Sequence, residues 1–557
     1  MFNKTSIFIL LLFVGLHAFS QKKNSTNVQA DKNRAKELFD NKNYKLALQE
    51  FLLLLKSDSN NSMYRHNAAI CYLNQRTDRK KAVKLLEYVV DKAKVDPYAY
   101  YDLGRAYQFN FQFDEAIKSY QKFIPLVKKD INLISALRQI EMCENAKDLI
   151  TKPINVSFEN LGSDINTNGP DYNPFISADE SYLVFSSKRN GNLGNLVDNE
   201  GFNTSDIFSS ENNGTWTKPK RLPPVINSPI SDDCSGLTSD GITMTIRYEN
   251  NKMLGDIMVS ELKGKSFLRP MNASEVINTS AEESAACLSP DKQTMFFSSN
   301  REGGIGGKDL YYSKRLPSGE WSQAVNLGSN INTIYDEDFP YIAPDGENLY
   351  FSSLGHNSMG GFDIFKTKWE KETYTFSEAE NIGYPINTPE DEKTISFSAS
   401  GRFAYYAALR KEGLGDLDIY RIVFNEMKPS FTVISGKISF AAETVSETTE
   451  ETNEEIQEET QGETIEETKK ETVKKPIISI PENIKITAFD KKTKEIKGKF
   501  APNKQSNKYL VILTPGNYIL KFEGTGINSF ETEINIPNKE QDLTEITKDI
   551  SLTKSKQ

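Results

Sequence analysis

Five acidic residues recur at one register along this chain. Asp171, Asp232, Glu283, Glu337 and Glu392 each lie five residues after an asparagine, namely Asn166, Asn227, Asn278, Asn332 and Asn387. Carboxylates repeated around an axis repel one another, and a bound cation such as calcium or a basic side chain relieves that repulsion. The first reading is therefore an electronegative ring at a channel mouth. The second gives each carboxylate a role inside its own repeat, capping a loop through backbone hydrogen bonds. Both stay open at the level of sequence. A second acidic set, Asp206, Asp256, Asp309, Asp363 and Asp418, stands beside glycine-rich segments and reads as turn-shaping.

Other chemistry finds few residues. Of three histidines, only His66 and His356 lie outside the N-terminal leader, too few for a histidine-built zinc site or a Ser-His-Asp triad. The run Gly303-Gly304-Ile305-Gly306-Gly307-Lys308-Asp309 departs from a phosphate loop twice. Glu302 stands where the first glycine belongs, and Asp309 replaces the Ser/Thr. Cys71, Cys143, Cys234 and Cys287 are scattered singly with no CxxC, and read as buried thiols, with a Cys234–Cys287 disulfide as the alternative in an oxidising compartment. No catalytic residue and no cofactor site emerges, so the sequence points to binding and not to an enzyme.

The elements that must position the acidic residues follow from the spacing. The asparagines are 61, 51, 54 and 55 residues apart, and thirteen residues after each comes Asp179, Asp240, Asp291, Asp345 or Ser400. A period near 50 built from short strands and turns is the signature of propeller blades. After the Ser-Pro-Asp-type turn come apolar runs such as Tyr182–Phe185 and Thr294–Phe297, then an Asp-Ile-Tyr-type strand, then a fourth strand with Trp216 or Trp321 ending in Asn-Leu-Gly. Residues Asn160–Thr167 repeat Asn326–Thr333 almost letter for letter, whereas the copy Asp391–Phe424 lacks a fourth strand. The N-terminal strand should therefore complete the last blade, closing a five-bladed ring and removing the open edges.

Residues 30–150 read as helix pairs. Tyr100, Leu103, Gly104, Tyr107, Ala116, Tyr120 and Phe123 follow the tetratricopeptide (TPR) pattern, with Ala35, Leu38, Ala47, Phe51 and Leu54 as a second copy and Ala69, Tyr72, Ala82 and Leu86 as a third. Ile131–Leu149 reads as a capping helix with Leu133, Leu137, Ile140 and Cys143 inward. Beyond 430, strand signals at Phe431–Phe440, Ile484–Phe489, Tyr509–Leu513 and Asn517–Glu523 predict a small β-sandwich over 430–550. A Glu/Thr-rich insertion, 441–475, interrupts it and reads as solvated chain. The fold class is multidomain: an α-helical solenoid, an all-β propeller over 155–425, and the sandwich.

Length and charge agree with this division. A chain of 557 residues is too long for one core, so roughly three or four domains are expected. The net charge of -10 argues against nucleic acid as a partner. Glu443–Lys475 holds twelve Glu and four Lys, which accounts for most of it. Lys4, the apolar run Ile7–Leu16 and Ala18-Phe19-Ser20 before Gln21 predict a cleaved signal peptide over 1–20. No later apolar run is long enough to span a bilayer, and no cysteine follows the leader to carry a lipid.

Two further resemblances attach to these residues. The Asn-to-Asp repeat with its Asp-Ile-Tyr strand resembles the TolB-like propeller repeat over about 155–425. Thr514-Pro515-Gly516-Asn517-Tyr518 resembles the "Gly-x-Tyr" strand start of the carboxypeptidase-regulatory-like β-sandwich. Signal peptide, tetratricopeptide array, TolB-like propeller and regulatory-like sandwich occur in this order in a Bacteroidetes family of periplasmic proteins, one branch of which is associated with type IX secretion and gliding. The resemblance implies a periplasmic scaffold peripheral to the outer membrane, with outer-membrane or secretion-system proteins as partners. Family members normally end in an OmpA-like peptidoglycan-binding domain. That domain does not follow the sandwich here, so peptidoglycan binding is not expected. The alternative is a periplasmic binding module for glycan or peptide ligands.

Overall fold

A computed structural model describes residues 31–555 apart from 77, 93, 128–130, 251–253, 427–431, 441–482, 503–506 and 538–544. The leader 1–20 and the acidic insertion 441–475 lie outside the described residues.

Seven α-helices come first: α1 (Lys32–Asp40), α2 (Tyr44–Ser57), α3 (Ser62–Asn74), α4 (Arg79–Val90), α5 (Tyr98–Phe109), α6 (Phe113–Phe123) and α7 (Ile131–Leu149). Side-chain caps begin three of them. Asp31 accepts from the N–H groups of Asn33 and Arg34, Asn43 from Leu46 and Asn61 from Tyr64, satisfying donors that a first helical turn leaves bare. α1 packs with α2, α3 with α4 and α5 with α6. Gly104 permits the last of these contacts, since a Cβ there would lie 2.5 Å from the Tyr120 ring.

α7 departs from the expectation of one inward stripe. Leu137, expected inside, is 52% exposed, while Arg138 is buried. The helix is covered on two sides. Cys143 and Ala146 join the cluster of α6, and Arg138 and Asn145 reach the propeller, donating to Leu354 O and His356 O and to Ser358 O respectively. A second neighbour, invisible in the periodicity of the helix itself, redefines which face is inward. Among the described residues, no helix is long and apolar enough to cross a membrane.

Five antiparallel sheets follow, in the manner of a β-propeller. The first runs Asp171–Ile176, Tyr182–Ser187, Asp206–Glu211, Lys220–Arg221 in sequence order. Its first strand packs on the first strand of the second sheet, Asp232–Leu237, and that on Glu283–Leu288, and that on Glu337–Ile342. Tyr341 links the fourth sheet to the fifth, its hydroxyl accepting from Phe397 N at 2.9 Å. In the fifth sheet, Ile395–Phe397, Phe403–Ala408 and Asp418–Phe424 are joined by Val156–Asn160 in the fourth place, antiparallel, with Val156 opposite Phe424 and Asn160 opposite Tyr420. That strand covers an edge that would otherwise be open. Trp216 and Trp321 lie outside the fourth strands, in isolated bridges to Asn212 and Arg315. Their rings roof apolar clusters of the blades, so side-chain burial and not a strand ladder positions them.

Beyond the propeller, two four-stranded sheets share one core that includes Ile434, Ile486, Tyr518 and Phe522. Thr432–Phe440 pairs antiparallel with Lys508–Leu513 and parallel with Glu545–Thr547 and Ile550–Leu552. Val433, Leu510 and Ile512 pack on Ala178 and Ala399, which follow the first strands of the first and fifth sheets. The helices instead meet the loop that precedes Ile395–Phe397, at Glu390, and the loops between second and third strands, at Leu354, His356, Ser358 and Asp416, so the helical and C-terminal parts hold opposite ends of the propeller.

Candidate functional site

The repeat asparagines are backbone staples. Asn332 Nδ2 donates to Leu310 O at 3.0 Å and its Oδ1 accepts from Leu310 N at 2.8 Å. Asn166 does the same with Ile419, Asn227 with Ile207, Asn278 with Ile257 and Asn387 with Ile364. Each partner is the residue after the repeat aspartate, on the third strand of the sheet just completed. One amide side chain thus supplies the donor and the acceptor that the passage to the next sheet would leave bare.

The acidic residue five positions on caps the same passage. Glu337 accepts from Thr333 N and Thr333 Oγ1, both at 2.7 Å. Glu283 and Glu392 accept from Thr279 and Thr388 in the same way, Asp171 from Thr167, and Asp232 from Ser228 N. All five are buried. Arg189 donates to Asp171 at 2.7 Å, and Arg301 reaches Glu283 at 3.3 Å. The carboxylates are thereby committed to their own loops, and among the described residues no group of three or more His, Cys, Asp or Glu is placed to hold a metal ion. Burial pushes Asp232 and Glu337 up to about 7. The second acidic set also serves loops: Asp309 accepts from Gly306 N, Asp363 from Met359 N and Asp418 from Leu414 N.

The residue after each repeat acid borders a cavity. Tyr172, Asp233, Ser284, Asp338 and Lys393 each follow a repeat acid, and all five line one cavity of about 650 Å³. In the first four sheets, where the acid begins the strand, alternation explains the split: one side chain turns into the loop and its neighbour turns the other way, toward the cavity. The ring is cross-linked. Tyr172 donates to Asp233 at 2.7 Å and Ser284 to Asp338 at 2.8 Å. Lys308 lies 3.4 Å from Asp338 and 3.5 Å from Glu282, and Arg247 lies 3.4 Å from Glu282. Burial lowers and the two carboxylates raise the Lys308 ammonium, with a net upward shift.

Two strained residues sit in this wall. Asn173 and Phe339 have φ of 51° and 49°, inside the first strands where the register shifts. Each precedes a proline, Pro174 and Pro340. A left-handed, non-glycine residue costs on the order of 1–3 kcal/mol, and such strain gathers at functional sites.

The roof of the cavity comes from the helices. Lys42, Arg76 and Phe111 occupy equivalent positions in the turns that join the helix pairs, all with φ between 55° and 60°. Lys42 and Arg76 line the cavity, Arg76 pairs with Asp416 at 3.3 Å, and Phe111 packs edge-on against Tyr384 at 6.1 Å. The helical region therefore meets the propeller through its turns. Arg79 anchors the contact beside the cavity: its Nη2 donates to Glu390 at 2.6 Å and its guanidinium lies 3.8 Å over the Phe109 ring.

The two histidines outside the leader lie apart from this wall. His66 pairs with Asp102 at 2.8 Å within the helical array, and His356 Nε2 bonds Ile331 O at 2.8 Å while burial holds its ring below the usual value. All four cysteines are free and buried. The alternative of a Cys234–Cys287 disulfide is not realised, because Cys234 stands two residues and Cys287 four residues after the repeat acid, at different levels of adjacent strands.

No family model matches the chain, and a comparison with curated protein sequences finds no match. Among solved structures it is similar to a putative TolB from Agrobacterium tumefaciens, at 17% identity over 48% of this chain and 83% of that one, TM-score 0.30. TolB from Acinetobacter baumannii is similar at 13% identity over 52% of this chain and 69% of that one, TM-score 0.31. The β-propeller domain of the Trilobed protease from Pyrococcus furiosus is similar at 9% identity over 47% and 70%, TM-score 0.25. Identities this low concern the fold alone.

Proposed function

We propose that this chain is a non-enzymatic scaffold that binds its partners through the cavity between the helical turns and the propeller mouth. The five sheets form one closed ring in this reading, with the helical array over 30–150, the propeller over 155–425 and the sandwich over 430–550 as its domains. The observation that carries it is the shared cavity. The propeller supplies the floor from every sheet, the helices supply the roof, and a volume of about 650 Å³ suits a bound chain segment or small ligand. The side chains around it are tied to one another by charge and hydroxyl pairs, with no nucleophile–base pair among those described above. No cofactor enters this reading.

The order of leader, helical repeats, TolB-like propeller and regulatory-like sandwich supports a place in the periplasm, peripheral to the outer membrane, with outer-membrane or secretion-system proteins as partners and a role in type IX secretion or gliding. The cavity also favours the second reading, a periplasmic module for glycan or peptide ligands. Site-specific photo-crosslinking separates the two. A crosslinker at Phe339 should capture proteins from the periplasm, while one at Met271, 73% exposed on the outer rim, should not. Equal capture from both positions refutes the cavity as the binding site. Absence of protein capture with retention of glycan on the purified chain favours the second reading.

A further inference from the structure

We propose that the occupant of the cavity is an acidic peptide segment. The inference rests on the cavity being a binding site and adds the chemistry of what it takes.

The charges around the cavity are unequally satisfied. Its carboxylates have partners, the most exposed of them, Glu200, lying 3.6 Å from Lys188. Asp338 accepts from Ser284 and from Phe339 N at 2.9 Å, and Glu282 lies between Arg247 and Lys308. Asp233 accepts from Tyr172 and from Ser205 Oγ at 2.8 Å, and Asp416 faces Arg76. An incoming cation would compete with each of these. The cations are freer. Among the described residues, Lys42 and Lys45 have no carboxylate partner, and Lys45 meets only the Phe202 ring at 5.7 Å. Both are exposed at the rim, on the turn between α1 and α2 and at the start of α2. Lys393, on the propeller side, is paired with Asp391, but loosely, at 3.7 Å, and is 41% exposed. Three ammonium groups from two modules thus look onto one opening.

The remaining wall suits a polypeptide more than a phosphate. Phosphate recognition favours guanidinium forks, and the two arginines here, Arg76 and Arg247, are occupied by carboxylates. Lysine ammoniums on flexible stems are point charges that meet side-chain carboxylates without a fixed fork. The wall also presents the rings of Phe202 and the strained Phe339 for apolar groups, and the buried Ser235 Oγ has no hydrogen-bond partner. A segment carrying carboxylates beside apolar or backbone groups would meet all three features. Neutralising three lysines would also make the binding strongly dependent on ionic strength.

The test uses the full chain and three fluorescent peptides, hexaglutamate, hexalysine and hexaserine, read by anisotropy at low and at physiological salt. Hexaglutamate alone should bind, and salt should weaken it. The doubly substituted protein Lys42→Glu/Lys45→Glu should lose at least tenfold in affinity. These residues are exposed and hold no buried partner, so an unchanged melt is the control for folding. Lys393→Glu should weaken binding from the propeller side by a similar factor. Hexaglutamate binding that survives all three substitutions would place the acidic peptide elsewhere and overturn the proposal. Preferred binding of hexalysine, or no binding of any peptide, would also overturn it. Protein capture at Phe339 would still stand on its own as the test of the cavity as a binding site.

Discussion

Arg79 and Glu390 make a sharp test of how the helices are held on the propeller. Their side chains are 9% and 18% exposed, and the guanidinium is sandwiched between the carboxylate and the Phe109 ring. Burial is the largest influence on both groups. It lowers Arg79 despite the adjacent carboxylate and raises Glu390 despite the adjacent guanidinium. Both charges are held where water solvates them poorly, the situation in which breaking a pair and replacing it have opposite consequences. Arg79→Met leaves Glu390 buried and uncompensated, at about 3–5 kcal/mol. For a unit of 150–250 residues, about 2–4 °C per kcal/mol gives a drop in melting temperature on the order of 10 °C. The double substitution Arg79→Met/Glu390→Leu removes both charges and should recover most of that loss, since an apolar replacement of a buried pair is often neutral or stabilising by about 1–4 kcal/mol. Calorimetric melts of the four proteins of this cycle, at 50 and 500 mM salt, give the coupling. Salt should change it little, because the pair is shielded from solvent ions. A double variant as unstable as Arg79→Met, or an Arg79→Met protein that melts like wild type, would refute the reasoning.

Three more outcomes follow from particular contacts. Deleting Val156–Asn160 exposes the edge of Asp418–Phe424, so the shortened propeller should aggregate in light scattering at temperatures where the full chain stays dispersed; equal behaviour would count against closure by this strand. Gly104→Ala puts a methyl 2.5 Å from the Tyr120 ring and should lower helical stability by about 1–3 kcal/mol in a circular-dichroism melt, since overpacked cores lose about that much. Glu337 is held up at about 7 from 4.5. A carboxyl raised on folding contributes most below its unfolded value, so its contribution falls as pH rises from about 4 to about 7 and is flat above, by on the order of 3 kcal/mol. Glu337→Gln should melt lower than wild type, because an amide cannot accept from Thr333 N, Thr333 Oγ1 and Ser353 Oγ together, yet show a shallower decline in melting temperature between pH 5 and pH 7; an unchanged slope would assign the pH dependence elsewhere.

The repeat was legible in the sequence because each of its marked residues answers a local backbone need. Asn332 bonds a strand residue 22 positions away, and Glu337 bonds a loop residue four positions away. The same need returns in every sheet, so the same residue types return at the same spacing. That regularity also explains why the aligned acids read ambiguously as a ring. Invariance across repeats marks a residue that serves the repeat, whereas a site common to all the sheets uses the position that differs: Tyr172, Asp233, Ser284, Asp338, Lys393. Strand alternation was the available signal, because the neighbour of a loop-facing acid that begins a strand must face the other way.

What no local pattern contains is the meeting of the parts. The periodicity of α7 placed Leu137 inside because periodicity assumes one neighbour, and the propeller is a second one that instead covers Arg138. Lys42, Arg76 and Phe111 lie in the turns between paired helices and stand outside the repeat positions that the sequence marks. Their shared role against the propeller depends on contacts with residues more than 200 positions away, such as Asp416 and Tyr384. The chain by itself determined its repeating units, because hydrogen bonds within a unit are satisfied over short separations. Only the tertiary structure decided the cavity, because its walls come from modules whose sequences carry no common period and whose charges become partners only when the two are docked.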